Sequence, residues 1–323
     1  MKIAIVGCGA LGSFYGAKLC LTERGVHFLL RSDYKVVRQK GVIIHSIHGD
    51  FHVQPHCART PDEIGVCDLV LIALKTTANS QFSKLLPPLV GPHTMIVTLQ
   101  NGLGNEEELA RLFPAEQILG GLCFVCLNRL EPGVIHHTAR GKILLGEFQR
   151  PPQPRTHELA ALFRHAGVSG DVTGNLARTH WDKLIWNIPF NGLGVAGVVG
   201  YETLLHPEAN LRIPPSSGCL TTDQLLADRR WAGLVHELML EVIGAANALG
   251  LEIPKSRADE QIEQTRGIGA YKASTLIDFE RSLPLELESM FLEPLRRAQS
   301  AGVHTPRLES LTRVLQQLNP TEK

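Results

Sequence analysis

The hexapeptide GCGALG puts Gly7, Gly9 and Gly12 in GxGxxG spacing, directly after the apolar run KIAIV and at the head of the helical pattern ALGSFYGAKLC. In that context each glycine has a task. Gly7 permits a tight turn, Gly9 lets the backbone approach a pyrophosphate, and Gly12 lets helix and strand pack closely. The start of the helix faces the anion with unpaired N–H groups and the positive end of its dipole. Gly7, Cys8, Gly9, Ala10, Leu11 and Gly12 are therefore candidate dinucleotide contacts. The next apolar run, VHFLL, ends in Arg31 and Ser32, where an NAD site would carry an acid for the ribose 2′-hydroxyl. An arginine can instead hydrogen-bond a 2′-phosphate, so NADP(H) is the expected cofactor.

A second pattern lies in HWDKLIWNIPFN, residues 180–191, where Lys183, Asn187 and Asn191 recur at intervals of four in a largely apolar run. Four residues on a helix advance about 400°, so the three drift only about 80° over about 12 Å and make one polar stripe. Trp181, Leu184, Ile185 and Phe190 can cover the other sides. If the stripe is buried it needs hydrogen-bonding partners. If it is a solvent face, two asparagines are poor helix formers for it and no acid stands four residues from the lysine. Pro189 falls between the two asparagines, and a proline inside a helix removes a hydrogen bond and can kink the axis, which makes Asn191 the least secure of the three.

Two more strand-like runs end in polar residues: LVLIALK in Lys75, and MIVTLQNG in Gln100, Asn101 and Gly102. In an open parallel sheet the ligand crevice lies at the carboxyl ends of the strands, which makes Lys75 and Asn101 site candidates. Further on, Ser274 and Asp278 stand four apart, with Glu286 eight later, in a segment that reads as a helix ending near Pro284.

These residues need a scaffold. Over the first 150 residues short apolar runs alternate with helical stretches, the pattern of a doubly wound α/β domain with a Rossmann-like sheet covered on both faces. From the linker QRPPQPRT onward long helical patterns dominate, which divides the chain into a dinucleotide-binding domain, 1–173, and a mostly α-helical C-terminal domain, 174–323. LRIPPSSGCL, 211–220, interrupts the second domain and reads as a surface loop. The 323 residues carry 32 basic and 32 acidic side chains, so nothing in the charge points to nucleic acid and a small molecule is the default partner. Met1 stands against the first strand, leaving no room for a cleavable leader, and no run is apolar enough to span a membrane; a soluble, cytoplasmic protein is expected. Seven cysteines, an odd number in a chain of this size, favour reduced thiols. The CFVC at 123–126 reads as buried strand, and no metal site is expected.

Taken together, IAIVGCGALGSFYGAKL, ALKTT, LQNGLGNEEEL, PGVIHHTARGKILLGE, HWDKLIWNIPFNGL, KASTLIDFERSLPLELESM and GVHTP resemble the ketopantoate reductases (2-dehydropantoate 2-reductases) over nearly the whole chain. The resemblance implies an NADPH-dependent reduction of 2-dehydropantoate to pantoate. It implies Lys183 as proton donor, Asn187, Asn191 and Ser274 as substrate contacts, Asn101 beside nicotinamide and substrate, and Glu286 beside cofactor and substrate hydroxyl. Lys75 and the backbone near Cys126 match cofactor-side positions. The chemistry suits these types: hydride delivery to C2 of a 2-oxo acid makes an alkoxide, which a lysine both stabilises and protonates.

The pattern departs after NGL. GVAGVVGYETLLHPEANLRIPPSSGCL precedes TTDQLLADRRWAGL, an insertion around 201–220 relative to the family. That leaves open a reductase of another branched 2-oxo acid, and, in a different class, a non-catalytic NADP(H)-sensing protein. The assembly is open as well, with a homodimer admitted.

Overall fold

The computed structural model describes residues 1–206 and 218–319. It groups them into two compact units, Met1–Asn101 with Asn105–Leu176, and Gly102–Gly104 with Ala177–Lys323.

The first unit is built on one ten-stranded sheet. Its strands are β1 Lys2–Val6, β2 Gly25–Leu29, β3 Val42–Ser46, β4 Phe51–Val53, β5 His56–Ala58, β6 Cys67–Ile72, β7 Val90–Thr98, β8 Ile118–Glu131, β9 Val134–Glu147 and β10 Ser169–Val172. Their order is β4-β3-β9-β8-β7-β6-β1-β2-β5, with β10 beside β9. Strands β2, β1, β6, β7 and β8 are parallel neighbours, and Ile3 to Val6 of β1 are fully buried, as a strand covered on both faces requires. Helix α1 (Ala10–Cys20) follows β1 and α2 (Tyr34–Lys40) follows β2.

Beyond this doubly wound part the sheet is mixed. β8 and β9 form a long antiparallel hairpin, and β3 reaches across to pair in parallel with β9. The turn residues Pro132 and Gly133 that make the hairpin are sequence-local, but the insertion of β3 beside β9 is not. CFVC lies within β8, with Cys123 buried and Cys126 half-buried.

The end of β9 is fastened by a buried carboxylate. Glu147 has no exposed side-chain surface, and its two oxygens accept from Arg150 Nε and Nη2 (3.0 and 2.8 Å), Arg155 Nε and Nη2 (3.0 and 2.7 Å) and Thr156 Oγ1 (2.6 Å). The arginines also donate to the Glu116 carbonyl, tying the start of the helix Pro154–His165 to the segment entering β8.

The second unit is helical. Its principal helix, Leu176–Ala196, runs through Pro189 without interruption. A proline there forfeits one backbone hydrogen bond. Trp181, Leu184, Ile185, Ile188, Phe190 and Leu193, each at most 1% exposed, compensate by burying the helix in the unit's core. Around it stand the helices Arg229–Ala248, Ser256–Arg266, Ser274–Glu280, Glu293–Ser300 and Pro306–Leu318. Within the inserted segment, Tyr201–Leu205 is a short helix and Leu220 N–H donates to the Gly194 carbonyl at 2.8 Å. Residues 207–217, which include most of the expected surface loop, lie outside the described residues.

Candidate functional site

In the first unit the glycine turn has the geometry a dinucleotide needs. Gly7 has φ +98°, and a Cβ on it would come within 2.4 Å of the Leu74 backbone nitrogen. A Cβ on Gly12 would sit 2.2 Å from the Gly7 carbonyl oxygen, while one on Gly9 would meet nothing within 4 Å. Two glycines are thus consumed by close packing, and the third faces open space where a phosphate can approach. No acid stands in the first turn of α1, whose leading N–H groups have no intrahelical acceptor. These residues fit an anionic dinucleotide. Gly12→Ala should therefore destabilise the protein by about 1–3 kcal/mol. An ordinary helix glycine would gain about 1 kcal/mol instead, so a higher melting temperature, or unchanged dinucleotide affinity in a fluorescence titration, would contradict the close packing.

Strand order reverses at β1, with β2 on one side and β6 on the other, and in open α/β sheets such a switch point is where ligands bind, at the carboxyl ends of the strands. Because the strands are parallel, Arg31 beyond β2, the turn beyond β1, Lys75 beyond β6 and Asn101 beyond β7 emerge on the same edge. Arg31 and Lys75 are exposed, and Asn101 is half-buried. Cys126 stands apart: it lies six residues past Gly120, where the pairing of β8 with β7 ends, and is paired with Ala139 of β9.

Two arrangements in this unit escape the sequence. Asp33, 6% exposed, is the acid nearest the end of β2, yet it accepts from Arg129 Nη2 of β8 and from Ser32 Oγ, so its charge is already answered. Behind Asn101 runs a file of carboxamides. Asn105 Nδ2 donates to the Asn101 carbonyl (3.1 Å), Asn79 Nδ2 to Asn105 Oδ1 (3.0 Å) and to Glu108 Oε2 (3.0 Å), and Gln100 Nε2 to Asn79 Oδ1 (2.7 Å). It fixes the loop after β7; the sequence hint was only polar residues clustered after two strands.

In the second unit the polar stripe falls on one helix. Lys183 is half-buried, and Asn187 and Asn191 are 7% and 2% exposed. The rotation of the helix is set from its flank. Asp182 accepts from Arg257 Nε (2.6 Å) and Nη2 (2.9 Å), and Trp186 Nε1 donates to Thr265 Oγ1 (2.9 Å), so two points one turn apart are pinned to helix Ser256–Arg266. Asn191 Oδ1 accepts from the Thr275 backbone N–H (3.0 Å) and from Ser274 Oγ (3.2 Å). It thereby caps the helix Ser274–Glu280, whose own N-cap, Ala273, offers no side-chain acceptor. With Oδ1 engaged, Asn191 keeps Nδ2 as a donor, and Ser274, having donated, keeps oxygen lone pairs as an acceptor. Asp278 and Glu286 are buried at 8% and 6%, and Glu286 lies just before a π-helical turn at Glu288–Leu292, a distortion frequent at functional sites.

The switch point in the strand order and the glycine turn define the first unit as a Rossmann-like dinucleotide-binding module. A family model described as ketopantoate reductase PanE/ApbA matches residues 3–150, and the model of that family's C-terminal domain matches 217–319. The 2-dehydropantoate 2-reductase of Nostoc sp. (strain PCC 7120) is 39% identical over 96% of this chain and 92% of its own length. The crystal structure of 2-dehydropantoate 2-reductase from Geobacter metallireducens GS-15 superposes with a TM-score of 0.89 at 46% identity, covering 98% of this chain and 99% of that one. D-mandelate dehydrogenase, solved with NADH and anilino(oxo)acetate, shares the fold at a TM-score of 0.82, 19% identity and 98% coverage of both chains. The chain belongs to the ketopantoate reductase family and is an oxidoreductase. No helix among the described residues is long and apolar enough to cross a membrane.

Proposed function

We propose that the protein reduces 2-dehydropantoate to (R)-pantoate with NADPH, and that Lys183 is the proton donor. The observation that carries this is the stripe itself: Asn187 and Asn191, 7% and 2% exposed, stand at intervals of four on the helix that carries half-buried Lys183, which puts the three on one face. Asn191 Nδ2 suits a substrate carboxylate or carbonyl, and the Ser274 oxygen suits a hydroxyl. The bound dinucleotide supplies a hydride to C2. The Lys183 ammonium stabilises the alkoxide oxygen as it forms and transfers a proton to it, completing the alcohol. Asn101 and Glu286 complete the polar contacts to substrate, and the turn at 7–12, with Lys75, holds the cofactor; Cys126, apart from these strand ends, is assigned no role. We assign cofactor binding to 1–173 and substrate chemistry to 174–323.

The test is NADPH oxidation followed at saturating 2-dehydropantoate and at equal concentrations of other branched 2-oxo acids. Highest kcat/KM with 2-dehydropantoate is expected. A faster rate with another 2-oxo acid would move the substrate assignment, and tight NADPH binding without turnover would make the protein a sensor.

Cofactor choice has its own test. Arg31 is exposed at the end of β2 while the neighbouring acid, Asp33, is already paired with Arg129. A charge-assisted contact to a 2′-phosphate contributes about 1.5–3 kcal/mol. Arg31→Asp should therefore raise the KM for NADPH by roughly 10- to 150-fold while changing that for NADH little. Equal KM values for NADPH in the two proteins would remove Arg31 from the site.

A further inference from the structure

A cavity of about 550 Å³ opens in the first unit against the flank of α1, and none of its lining residues belongs to the glycine turn or to the strand ends beside it. Phe14, Phe124 and Leu144 give it apolar walls. Lys18, Arg140 and Lys142 bring three cations to it, and no carboxylate lines it. Its size is that of a small-molecule site.

The cations are unevenly compensated. Lys142 pairs with Asp171 at 2.7 Å. Among the described residues neither Lys18 nor Arg140 joins an ion pair. The Lys18 ammonium instead lies 4.6 Å from the centre of the Phe51 ring and 6.0 Å from that of Phe14, and burial pulls its pKa down. An anion beside it would relieve that cost.

The backbone at Arg140 is bent to present it. Arg140 has φ +62°, a left-handed conformation that glycine or asparagine adopts more readily. Gly141 is the extra residue between the pairs Val125–Arg140 and Phe124–Lys142, so β9 bulges here, and bulges re-aim side chains. His137, 1% exposed, holds the bulge: Nε2–H donates to the Arg140 carbonyl at 2.8 Å, and Ser46 Oγ–H donates to Nδ1 at 2.9 Å. A carbonyl only accepts, which fixes the proton on Nε2. The ring centre of His137 lies 4.7 Å from that of Phe14, extending the aromatic wall.

We propose that this cavity is a second ligand site, for a small organic anion that carries a carboxylate or phosphate on a flat apolar body. The anionic group would lie between Lys18 and Arg140 and the body against Phe14 and Phe124.

Isothermal titration of the full chain with phenyl phosphate, with and without saturating NADPH, tests this. One saturable site per chain is expected, with an affinity that NADPH leaves unchanged and that falls at least tenfold in both Lys18→Met and Arg140→Gly. Arg140→Gly should also melt no lower than the parent, because glycine relieves the left-handed backbone, so lost binding cannot be put down to lost folding. Benzoate in place of phenyl phosphate assigns the head group to carboxylate or phosphate, and benzyl alcohol, which lacks the charge, should bind at least tenfold more weakly. Absence of saturable binding by both anions would overturn the proposal. So would binding that both variants retain, or that NADPH abolishes, which would place the phosphate in the glycine turn. The two variants decide the matter whether or not the dinucleotide binds.

Discussion

Replacing Lys183 by alanine is expected to lower kcat with 2-dehydropantoate by roughly 10²–10⁴-fold, the usual contribution of a positioned general acid. Both kcat and kcat/KM should fall, because the proton is needed as the alkoxide develops and not when substrate docks. On the proposed assignment of cofactor binding to 1–173, NADPH affinity should stay within about twofold in a fluorescence titration. Lys183→Arg separates charge from proton transfer. A guanidinium keeps the cation but does not release a proton at neutral pH, so this variant should recover only part of the loss. Retention of more than about a third of kcat by Lys183→Ala would remove this lysine from the chemistry. The fold should survive either change, since Lys183 is half-buried and the helix is held by Trp181, Leu184, Ile185 and Ile188 in the core.

The second large effect concerns stability. Glu147→Gln should cost on the order of 3–5 kcal/mol, because it leaves Arg150 and Arg155 converging on a neutral amide that can accept only part of what two carboxylate oxygens accepted. Burial pushes the Glu147 carboxyl pKa up, but the hydrogen bonds from Arg155, Thr156 and Arg150 outweigh it and hold the group below its ordinary value. A carboxyl depressed in the folded state stabilises the protein above its unfolded pKa of about 4.3. That contribution is lost as pH falls through the folded pKa. In urea unfolding, the gap between parent and Glu147→Gln should thus be constant at neutral pH and narrow as the pH drops below about 4. A gap that is small at pH 7, or that widens in acid, would mean the cluster does not stabilise β9 as described.

Much was legible without coordinates, and the reason is locality. The turn at Gly7, Gly9 and Gly12 is six consecutive residues, and its strand-turn-helix context is read from immediate neighbours. The doubly wound α/β module and the helical remainder followed from periodicity, and the resemblance to ketopantoate reductases from motifs distributed along the chain. The spacing of Lys183, Asn187 and Asn191 sufficed to align them, since the 3.6-residue repeat is a property of the helix alone. Pro189 does not end the helix, which continues to Ala196 with Trp181, Leu184, Ile185, Ile188 and Phe190 buried in the core.

What spacing could not decide was burial and partnership. Whether the stripe faces solvent or the interior depends on Arg257 and Thr265, some 75 to 79 residues away, which pin the helix's rotation. That Asn191 caps another helix, so that only its Nδ2 is left to donate, depends on Thr275, 84 residues on. Likewise Asp33, just beyond the end of β2, is engaged by Arg129, 96 residues later, which no local pattern reveals. The sequence by itself determined which residues share a turn, a strand end or a helix face, because backbone geometry repeats locally. Only the tertiary structure decided which of their hydrogen-bonding atoms are already engaged, because those partners are brought together by chain topology over separations that no local periodicity encodes.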